Sequence, residues 1–392
     1  MPEQRATPPL LKHLNERAVL ETIRAGAPIS RAEISRRAGI SKPTVSLAIQ
    51  SLVDAGLVRE ALQDPAGLRY GAVFFEPVPE AAFVLGLDLG ARFLRGAVCD
   101  LAGQIRVRQD VELRGADADA ALAAIESLHG SLLSASGLAV ERIDGVVLGV
   151  PGVVENGSGM LRLTTPYIAR LEGRELRGEL AERLGVAVTL DNDINLAAVG
   201  EHWLGVARGV DDFAFLSIGT GMGTGLVLGG NLHRGHHGAA GEIDWALAGL
   251  GEDVDASGEA VERLTQRLAS ERAAATTLTR PYDVRLTFAA ARSGDAVARA
   301  VVDEVARRIA AHIAPIAAVA DVALVVLGGG IGTNSDLLLR PVRKLLEEWM
   351  PYPPRVEVSS LGEAAVLMGT LAVGLRSALD NVFVNRPTGA RA

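Results

Sequence analysis

The chain of 392 residues, 48% hydrophobic and 22% charged, exceeds the usual size of one domain and has a soluble globular composition, which excludes a small peptide scaffold and a disordered or fibrous chain. Its single cysteine, Cys99, excludes an intramolecular disulfide and a cysteine-rich zinc site, and it favours a reducing cytoplasm. The formal net charge is −8, yet residues 1–71 hold ten Lys and Arg against seven Asp and Glu, which is the asymmetry expected of a small DNA-binding module on a large acidic domain.

No targeting or membrane segment is expected. The first ten residues, MPEQRATPPL, lack the apolar core of a signal peptide. The most apolar stretch, from Ile309 to Ile331, is interrupted by His312, Pro315 and Asp321. We therefore expect a cytoplasmic protein.

The N-terminal segment predicts a helix-turn-helix. A first helix over residues 15–25 carries apolar residues on one face. Ser30 begins a second helix, and Glu33 three residues later completes a capping box. Gly39 suits the left-handed residue that ends this helix, and Ser41 caps a third helix after a short turn.

The third helix has an apolar face and a polar face. Its apolar face consists of Val45, Ile49, Leu52 and Val53. Its polar N-terminal part and face, expected in the major groove of DNA, consist of Ser41, Lys42, Pro43, Thr44, Ser46 and Gln50. Two strands around a turn at Asp64, Pro65 and Gly67 follow, and they predict a wing whose Arg69 contacts phosphate or the minor groove. The alternative is a trihelical packing module without DNA contact.

After a short extended linker at 76–81, the chain predicts a two-lobed α/β domain. Residues 83–113 predict three strands with tight turns at Gly90 and at 100–103. Residues 213–234 repeat this opening of strand, glycine turn and strand, and helices and buried strands follow each copy. Such a duplication is typical of the actin-like ATPase fold, in which paired hairpins clasp phosphates in a cleft between lobes.

Four features in this order resemble the ROK family of repressors and sugar kinases, over essentially the whole chain. They are the winged helix-turn-helix, LDNDINLAAVGE at 190–201, GTGMGTG at 219–225 and GAAGEIDW at 238–245. The resemblance, to regulators of the xylose or N-acetylglucosamine repressor type, implies a DNA-binding domain over 1–75 and a ribonuclease H-like ROK effector domain over 82–392. Lobe one is expected over about 82–195 together with the C-terminal helix, and lobe two over about 196–374.

The resemblance implies a sugar site in the cleft. In ROK kinases the residue matching Asp193 accepts the proton of the reacting sugar hydroxyl, and those matching Asn192 and Glu242 hold the sugar. Gly152 and Trp245 are further expected ligand contacts, although Trp245 suits the core equally well. Carboxylates accept hydrogen bonds from sugar hydroxyls, and an ionised carboxylate nearby can deprotonate one. The alternative for Asp193 is an Asn-Asp turn that caps the next helix.

The phosphate loop of the family's kinases is degenerate in this chain. The family pattern of Asp, any residue, Gly, Gly and Thr is matched by Asp88, Leu89, Gly90, Ala91 and Arg92, so the second Gly and the Thr are missing. The added Cβ and the lost hydroxyl oppose productive ATP binding, which favours a regulator over a kinase. The remaining turns are interpreted as a nucleotide-loop remnant that comprises Asp88, Gly90, Gly219, Gly221 and Gly223.

The family's structural zinc is not expected. Most ROK members hold it with a His after GEIG and three downstream cysteines, whereas this chain has Trp245 at the His position and no cysteine downstream. The clustered His233, His236 and His237 suggest a substitute metal site, but a polar loop that closes over the ligand is the favoured interpretation. We therefore expect no cofactor.

Together these features predict a transcriptional regulator, a repressor, that binds operator DNA as a homodimer or homotetramer. A sugar or related metabolite in the interlobe cleft is expected to change operator affinity, and no catalytic residue is expected. Two alternatives stay open. One is an ATP-dependent sugar kinase with an attached DNA-binding domain, in which Asp193 is the catalytic base. The other is regulation by a protein partner that docks on the acidic effector domain.

Overall fold

The computed structural model describes residues 8–61, 73–113, 118–243, 253–272 and 276–385. The wing turn at Asp64, Pro65 and Gly67, together with Arg69, lies outside these ranges, and so does Trp245. Within the described residues the fold class is confirmed: a winged helix-turn-helix precedes a two-lobed α/β domain.

The N-terminal module contains three helices and a three-stranded antiparallel sheet in the order β1-β3-β2. Its elements in chain order are α1 (Pro8–Gly26), β1 (Ile29–Ser30), α2 (Arg31–Ala38), α3 (Lys42–Asp54), β2 (Val58–Glu60) and β3 (Phe74–Pro77). Strands β2 and β3 are the two strands of the predicted wing, and β1 adds to them by pairing with β3.

The predicted N-caps of α2 and α3 are confirmed, but one half of the predicted capping box is not formed. The hydroxyls of Ser30 and Ser41 each accept a hydrogen bond from the backbone N–H three residues later, as an N-cap does. The capping box was wrong in its second half, because the carboxylate of Glu33 pairs with Arg36 and Arg37 in the same helix. A charged donor one turn away competes for that carboxylate with the neutral backbone N–H of the cap.

Lobe one is built on a five-stranded sheet in the order β10-β7-β4-β5-β6. Its elements are β4 (Phe83–Leu89), β5 (Phe93–Asp100), β6 (Ile105–Glu112), α4 (Ala118–Ser136), β7 (Ile143–Val150), β8 (Val153–Val154), β9 (Leu161–Arg162), α5 (Leu176–Leu184) and β10 (Val188–Asn192). Strands β4 to β6 are antiparallel, whereas β4, β7 and β10 are parallel. Strands β8 and β9 form a separate small hairpin.

Lobe two repeats this topology in its own five-stranded sheet, in the order β13-β12-β11-β14-β15. Its elements, with the two helices that flank it, are α6 (Asp193–Leu204), β11 (Phe213–Ile218), β12 (Met222–Leu228), β13 (Asn231–His233), α7 (Gly258–Glu271), α8 (Val284–Arg292), α9 (Ala296–Ala320), β14 (Leu324–Gly328), α10 (Gly329–Gly332), α11 (Ser335–Trp349), β15 (Arg355–Val358) and α12 (Ala365–Asn385). Three antiparallel strands again precede two parallel ones, as the repeated opening predicts.

Helices α6 and α12 pack against each other and connect the two lobes. Glycines allow the close approach, because a Cβ on Gly200 would clash with the carbonyl of Ala365, and one on Gly369 would clash with the carbonyl of Leu196. Helix α12 also packs on β4 and β7 of lobe one, and it begins at Ala365, before the expected end of lobe two at about 374. Among the described residues the stretch Gly362–Leu379 is apolar enough to cross a membrane by length and composition, but 56% of it is buried, as in a core helix.

The DNA-binding module shares a hydrophobic core with lobe one. Ile23 of α1 belongs to the same buried cluster as Cys99 of β5 and Leu371 of α12. Residues 76–81, expected as an extended linker, form the end of β3 and a 3-10 turn at Pro79–Ala81. The module is therefore packed against the effector domain rather than tethered to it by extended chain.

Candidate functional site

The recognition helix α3 presents a polar surface to solvent. Its buried side chains are Val45, Ala48, Ile49 and Leu52. The residues expected at DNA are exposed, apart from a half-buried Thr44, and they are Ser41, Lys42, Pro43, Thr44, Ser46 and Gln50. The hydroxyls of Ser41 and Thr44 lie 2.8 Å apart, and the Gln50 amide donates to Asp54 at 2.8 Å. A helix with this division of faces suits docking in a major groove.

One exposed residue of this surface was not predicted from the sequence, and another lies away from its predicted face. Leu47 stands on the outer face of α3 with 75% of its surface exposed. An exposed leucine among polar groups on a recognition helix suits contact with a thymine methyl group. Its position, three residues before Gln50, is a helical spacing that could have revealed it. Val53, expected on the apolar face, is 36% exposed.

The cleft site forms where two parallel strands end and α6 begins. Asn192 closes β10 and caps α6, since its Oδ1 accepts a hydrogen bond from the N–H of Asn195 at 2.9 Å. Its Nδ2 donates to the carbonyl of Gly152 at 2.9 Å. Gly152, which follows β7, has a φ of +136°, and a Cβ there would approach the carbonyl of Arg162 to 2.9 Å. Asn192 is therefore the N-cap of α6, and its amide orients the turn beside Asp193.

Three carboxyl groups from separate elements interact at this cleft. Burial raises the pKa of Asp193 to about 7, and the nearby charges of Asp88 and Glu242 raise it further. The N–H of Ile194 opposes this, because it donates a hydrogen bond to the Asp193 Oδ1 at 2.9 Å. Burial likewise raises the pKa of Asp88 to about 6, against the opposing charge of Arg95. A carboxyl group that titrates near neutrality can donate or accept a hydrogen bond, which suits a polyhydroxylated ligand.

Asp88 is already paired inside the protein. Arg95 stands directly opposite it in the ladder of β4 and β5, and the Arg95 Nη1 lies 3.5 Å from the Asp88 Oδ2. The same guanidinium contacts Asp110 through Nε at 3.7 Å and Glu363 through Nη2 at 2.6 Å, and only 12% of the side chain is exposed. This cluster was not predicted, because it depends on strand register and on Glu363, which is distant in the sequence.

A cavity of about 150 Å³ opens beside Asn192, between the β8–β9 hairpin and the loop after β13. Asp191, Asn195 and Arg234 line it, and none of them was expected at the site. The Oδ1 of Asn195 is buried and has no hydrogen-bond partner among the described residues. Since buried polar atoms are normally satisfied, this oxygen marks a position for a ligand or water donor.

The two lobes touch across this cavity. Arg234 of lobe two pairs with the buried Asp191 of lobe one at 2.5 Å. The Nδ2 of Asn156 in lobe one donates to the carbonyls of Gly235 and His236 at 2.8 and 3.1 Å. We call these contacts the latch. The loop with His236 and His237, expected to close over the ligand, thus lies against the opposite lobe.

The glycine clusters have two different explanations. A Cβ on Gly223 would clash with Ile194, and one on Gly225 would approach the Ala198 Cβ to 2.8 Å, so close packing of β12 on α6 requires both glycines. At Gly221 nothing lies within 4 Å of a Cβ, and at Gly219 only a backbone nitrogen does, at 3.7 Å. These two border open space, and packing does not require them.

The residues of this chain do not fit the family's zinc. Cys99, the single cysteine, is buried in β5, where burial raises the pKa of its thiol to about 12. In the described part of the zinc loop, Arg308 of α9 donates to the carbonyl of Asp255 and pairs with Asp253 at 3.2 Å, and His312 hydrogen-bonds the carbonyl of Val254 at 3.1 Å. Side chains of one helix thus hold this segment. No group of three or more His, Cys, Asp or Glu in the described ranges is arranged to hold a metal ion.

Comparisons with known proteins cover both parts of the chain. A model of the ROK family matches residues 84–376, and a model of winged helix-turn-helix DNA-binding domains matches residues 13–59. A xylose repressor from Caldicellulosiruptor bescii is 26% identical over 95% of this chain and 98% of its own length. A glucokinase from Halalkalibacterium halodurans is 28% identical over 73% of this chain and 92% of its own. The crystal structure of a ROK family transcriptional regulator, a homolog of the E. coli MLC protein, matches with a TM-score of 0.73 at 22% identity, covering 95% of this chain and 98% of that one.

Proposed function

Because this chain belongs to the ROK family and carries a winged helix-turn-helix, we propose that it is a DNA-binding transcriptional repressor controlled by a sugar or related metabolite. The observation that carries the proposal is the shared hydrophobic core, which packs the module that bears α3 directly on the domain that bears the cleft. The full-length similarity to a xylose repressor supports it. The protein acts in the cytoplasm as a homodimer or homotetramer, because paired half-sites call for paired recognition helices.

The proposed mechanism runs from the cleft to the module. A sugar hydrogen-bonds Asp193, Asn195 and Glu242, with Gly152 and Trp245 at the edges of the same site. Such a ligand alters the latch between Asp191 and Arg234, because both side chains line the same cavity as Asn195. The ligand must bind the two lobe arrangements with unequal affinity, because otherwise it shifts no equilibrium.

Catalysis is not part of the proposed function. Ala91 and Arg92 replace the Gly and Thr of the phosphate loop, and the Arg95 Nη1 lies 3.5 Å from the Asp88 Oδ2, so this carboxyl group already has a partner inside the protein. Gly90 donates its N–H to the carbonyl of Phe93 at 3.0 Å, which uses a group that a phosphate would need. The remnant of the loop, with Gly219 and Gly221, then serves as hairpin turns.

The test of DNA binding is fluorescence anisotropy on duplexes from the region upstream of the protein's own gene. We expect Lys42→Gln and Arg69→Gln each to weaken binding to all duplexes and to reduce the slope of log affinity against log salt by about 1. The matched control is Lys344→Gln, which changes an exposed lysine of α11 in the effector domain. Unchanged affinity and slope in both module variants would refute the assigned DNA face.

The same assay, repeated with a panel of sugars and sugar phosphates, tests whether a sugar regulates operator binding. We expect one compound of the panel to relieve specific binding. Specific binding that no compound changes points instead to a protein partner on the acidic effector domain, and it contradicts the proposed sugar control.

A sugar kinase with an attached DNA-binding domain is the second candidate. The similarity to a glucokinase and the pKa of Asp193 near 7, which suits a general base, favour it. It predicts release of ADP that requires both ATP and a sugar and that disappears in Asp193→Asn. The absence of turnover across the sugar panel would eliminate this candidate.

A further inference from the structure

A second cavity lies at the junction of the DNA-binding module and the effector domain, apart from the cleft. Its volume is about 440 Å³, which is within the range of small-molecule sites. Its walls come from α1, the turn between β5 and β6, the C-terminal end of α6 and the segment after it, and α12. Anything bound there therefore touches the module and both helices that join the lobes.

Cationic side chains from three different segments line this cavity. Arg24 comes from α1, Arg208 follows α6, and Arg376 comes from α12. Glu21 is the single acidic residue among the described residues that line it. The junction thus gathers positive charge in a chain whose net charge is −8.

Two of these arginines are available to a ligand. Arg208 and Arg376 are exposed and make no ion pair with any side chain that the structure describes. Arg24 uses its Nε to donate to the carbonyl of Leu101 at 2.7 Å, which fixes the direction of its guanidinium. Elsewhere many arginines are engaged, as Arg308 is with Glu304 and Asp253. Guanidinium groups without a carboxylate are the preferred partners of phosphate oxygens in proteins.

An aromatic ring completes the site. Trp203, at the end of α6, lines the cavity and lies 3.4 Å from the position that a Cβ of Gly103 would occupy. A tryptophan face beside arginines suits a ligand with a ring at one end and an anionic group at the other.

We propose that this junction cavity is a second effector site, which binds a phosphorylated small metabolite. Arg208 and Arg376 bind the phosphate group together with Arg24, and the ring of the metabolite stacks on Trp203. Because α6 begins at Asp193 in the cleft and ends at this cavity, the two sites share one helix. Occupancy of the junction fixes the module relative to α6 and α12, and so changes operator affinity independently of the sugar in the cleft.

The test is isothermal titration calorimetry of the full chain with ribose 5-phosphate, inorganic phosphate and ribose. We expect saturable binding of ribose 5-phosphate that weakens at least tenfold in the double variant Arg208→Gln/Arg376→Gln and that falls as salt rises. The control Arg267→Gln, an exposed arginine of α7, should bind as the wild type does. Inorganic phosphate that binds as tightly as ribose 5-phosphate supports the anion site and identifies free phosphate as a sufficient ligand.

Two outcomes overturn the proposal. One is a failure of the junction residues to matter, seen as no saturable binding of either phosphate compound or as equal binding in the wild type and the double variant. The other is loss of binding in Asp193→Asn, which would place the phosphate compound in the cleft. Because Asp193→Asn changes only the cleft and the double variant only the junction, failure of this inference is distinguishable from failure of the proposed sugar control. Both arginines are exposed, and matching unfolding midpoints of wild type and double variant verify that the latter folds.

Discussion

Asp193, the proposed ligand residue of the cleft, also carries a cost to the fold. Burial raises its pKa to about 7, so the folded chain holds the proton more tightly than the unfolded chain between the ordinary pKa of an aspartate and neutrality. Over that range the free energy of unfolding falls as the pH rises, and above about pH 7 the full penalty of a buried charge is present. Asp88, with a pKa raised to about 6, contributes in the same direction.

Asp193→Asn should therefore stabilise the protein at alkaline pH. Asparagine resembles the protonated acid, so we expect a gain of ~1–3 kcal/mol in unfolding free energy at pH 8 and almost none at pH 3, below the pKa of the unfolded chain. Urea unfolding at the two pH values measures it. The control Asp303→Asn, an exposed residue of α9, should change neither value by more than about 0.5 kcal/mol. An equal effect of Asp193→Asn at both pH values would contradict the raised pKa.

Leu47 should matter to DNA and not to stability. Its side chain is 75% exposed, so Leu47→Ala leaves the unfolding midpoint unchanged while it removes an apolar contact in the major groove. We expect operator binding to weaken by ~1 kcal/mol, with less effect on non-specific duplexes. Anisotropy titrations measure both. Val319→Ala, at a position 89% exposed in α9, is the control that should leave DNA binding intact. Wild-type operator affinity in Leu47→Ala would exclude this residue from the interface.

At the scale of elements, the pair of α6 and α12 is the structural connection between the lobes. Helix α6 carries the cleft residues at its first turn and Trp203 near its last, and α12 packs along it and on the sheet of lobe one. Glycines at the contact bring the two backbones together, which leaves no space for even one methyl group.

A glycine in α12 and a glycine in α4 should respond in opposite ways to alanine. In Gly369→Ala the new methyl group clashes with the carbonyl of Leu196, so we expect a loss of about 1–3 kcal/mol or more in unfolding free energy. In Gly130→Ala nothing lies within 4 Å of the methyl group, and the better helix former should add about 0.5–1 kcal/mol. Chemical denaturation compares them. A neutral Gly369→Ala would mean that α6 and α12 are less closely packed.

Features that depend on neighbouring residues could be predicted from the sequence, whereas contacts between distant residues could not. Ser30 and Ser41 cap helices within three residues, and the repeated strand openings appear as periodic apolar runs, so both were predictable. The contacts of Arg95 with Glu363 and of Arg234 with Asp191 join residues far apart in the chain, and they depend on register and lobe packing. The buried Oδ1 of Asn195, which has no hydrogen-bond partner among the described residues, could not be predicted either, because burial depends on the whole fold.

At the scale of the whole molecule, the shared core makes the module and the effector domain one cooperative unit. Ile23 of α1 is fully buried in the cluster that includes Leu371 of α12. The DNA-binding module cannot unfold without exposing apolar surface of lobe one. A change that destabilises the module therefore also destabilises lobe one.

We therefore expect Ile23→Ala to destabilise the entire chain. Loss of this buried side chain should cost about 2–5 kcal/mol and lower a single unfolding transition, seen together by tryptophan fluorescence and circular dichroism. Leu14→Ala, on the same helix but 51% exposed, is the matched control and should have little effect. Two separate transitions, of which Ile23→Ala moves only one, would show that the module folds independently.

If a ligand in the cleft changes operator affinity, one titration of the full chain shows it. Operator binding of the full chain is measured by anisotropy at increasing concentrations of the sugar that relieves it, with wild type and Asp193→Asn in parallel. We expect the wild-type operator dissociation constant to rise to a plateau at least tenfold higher, whereas Asp193→Asn binds the operator normally and does not respond to the sugar. An equal response of both proteins would contradict the cleft as the controlling site.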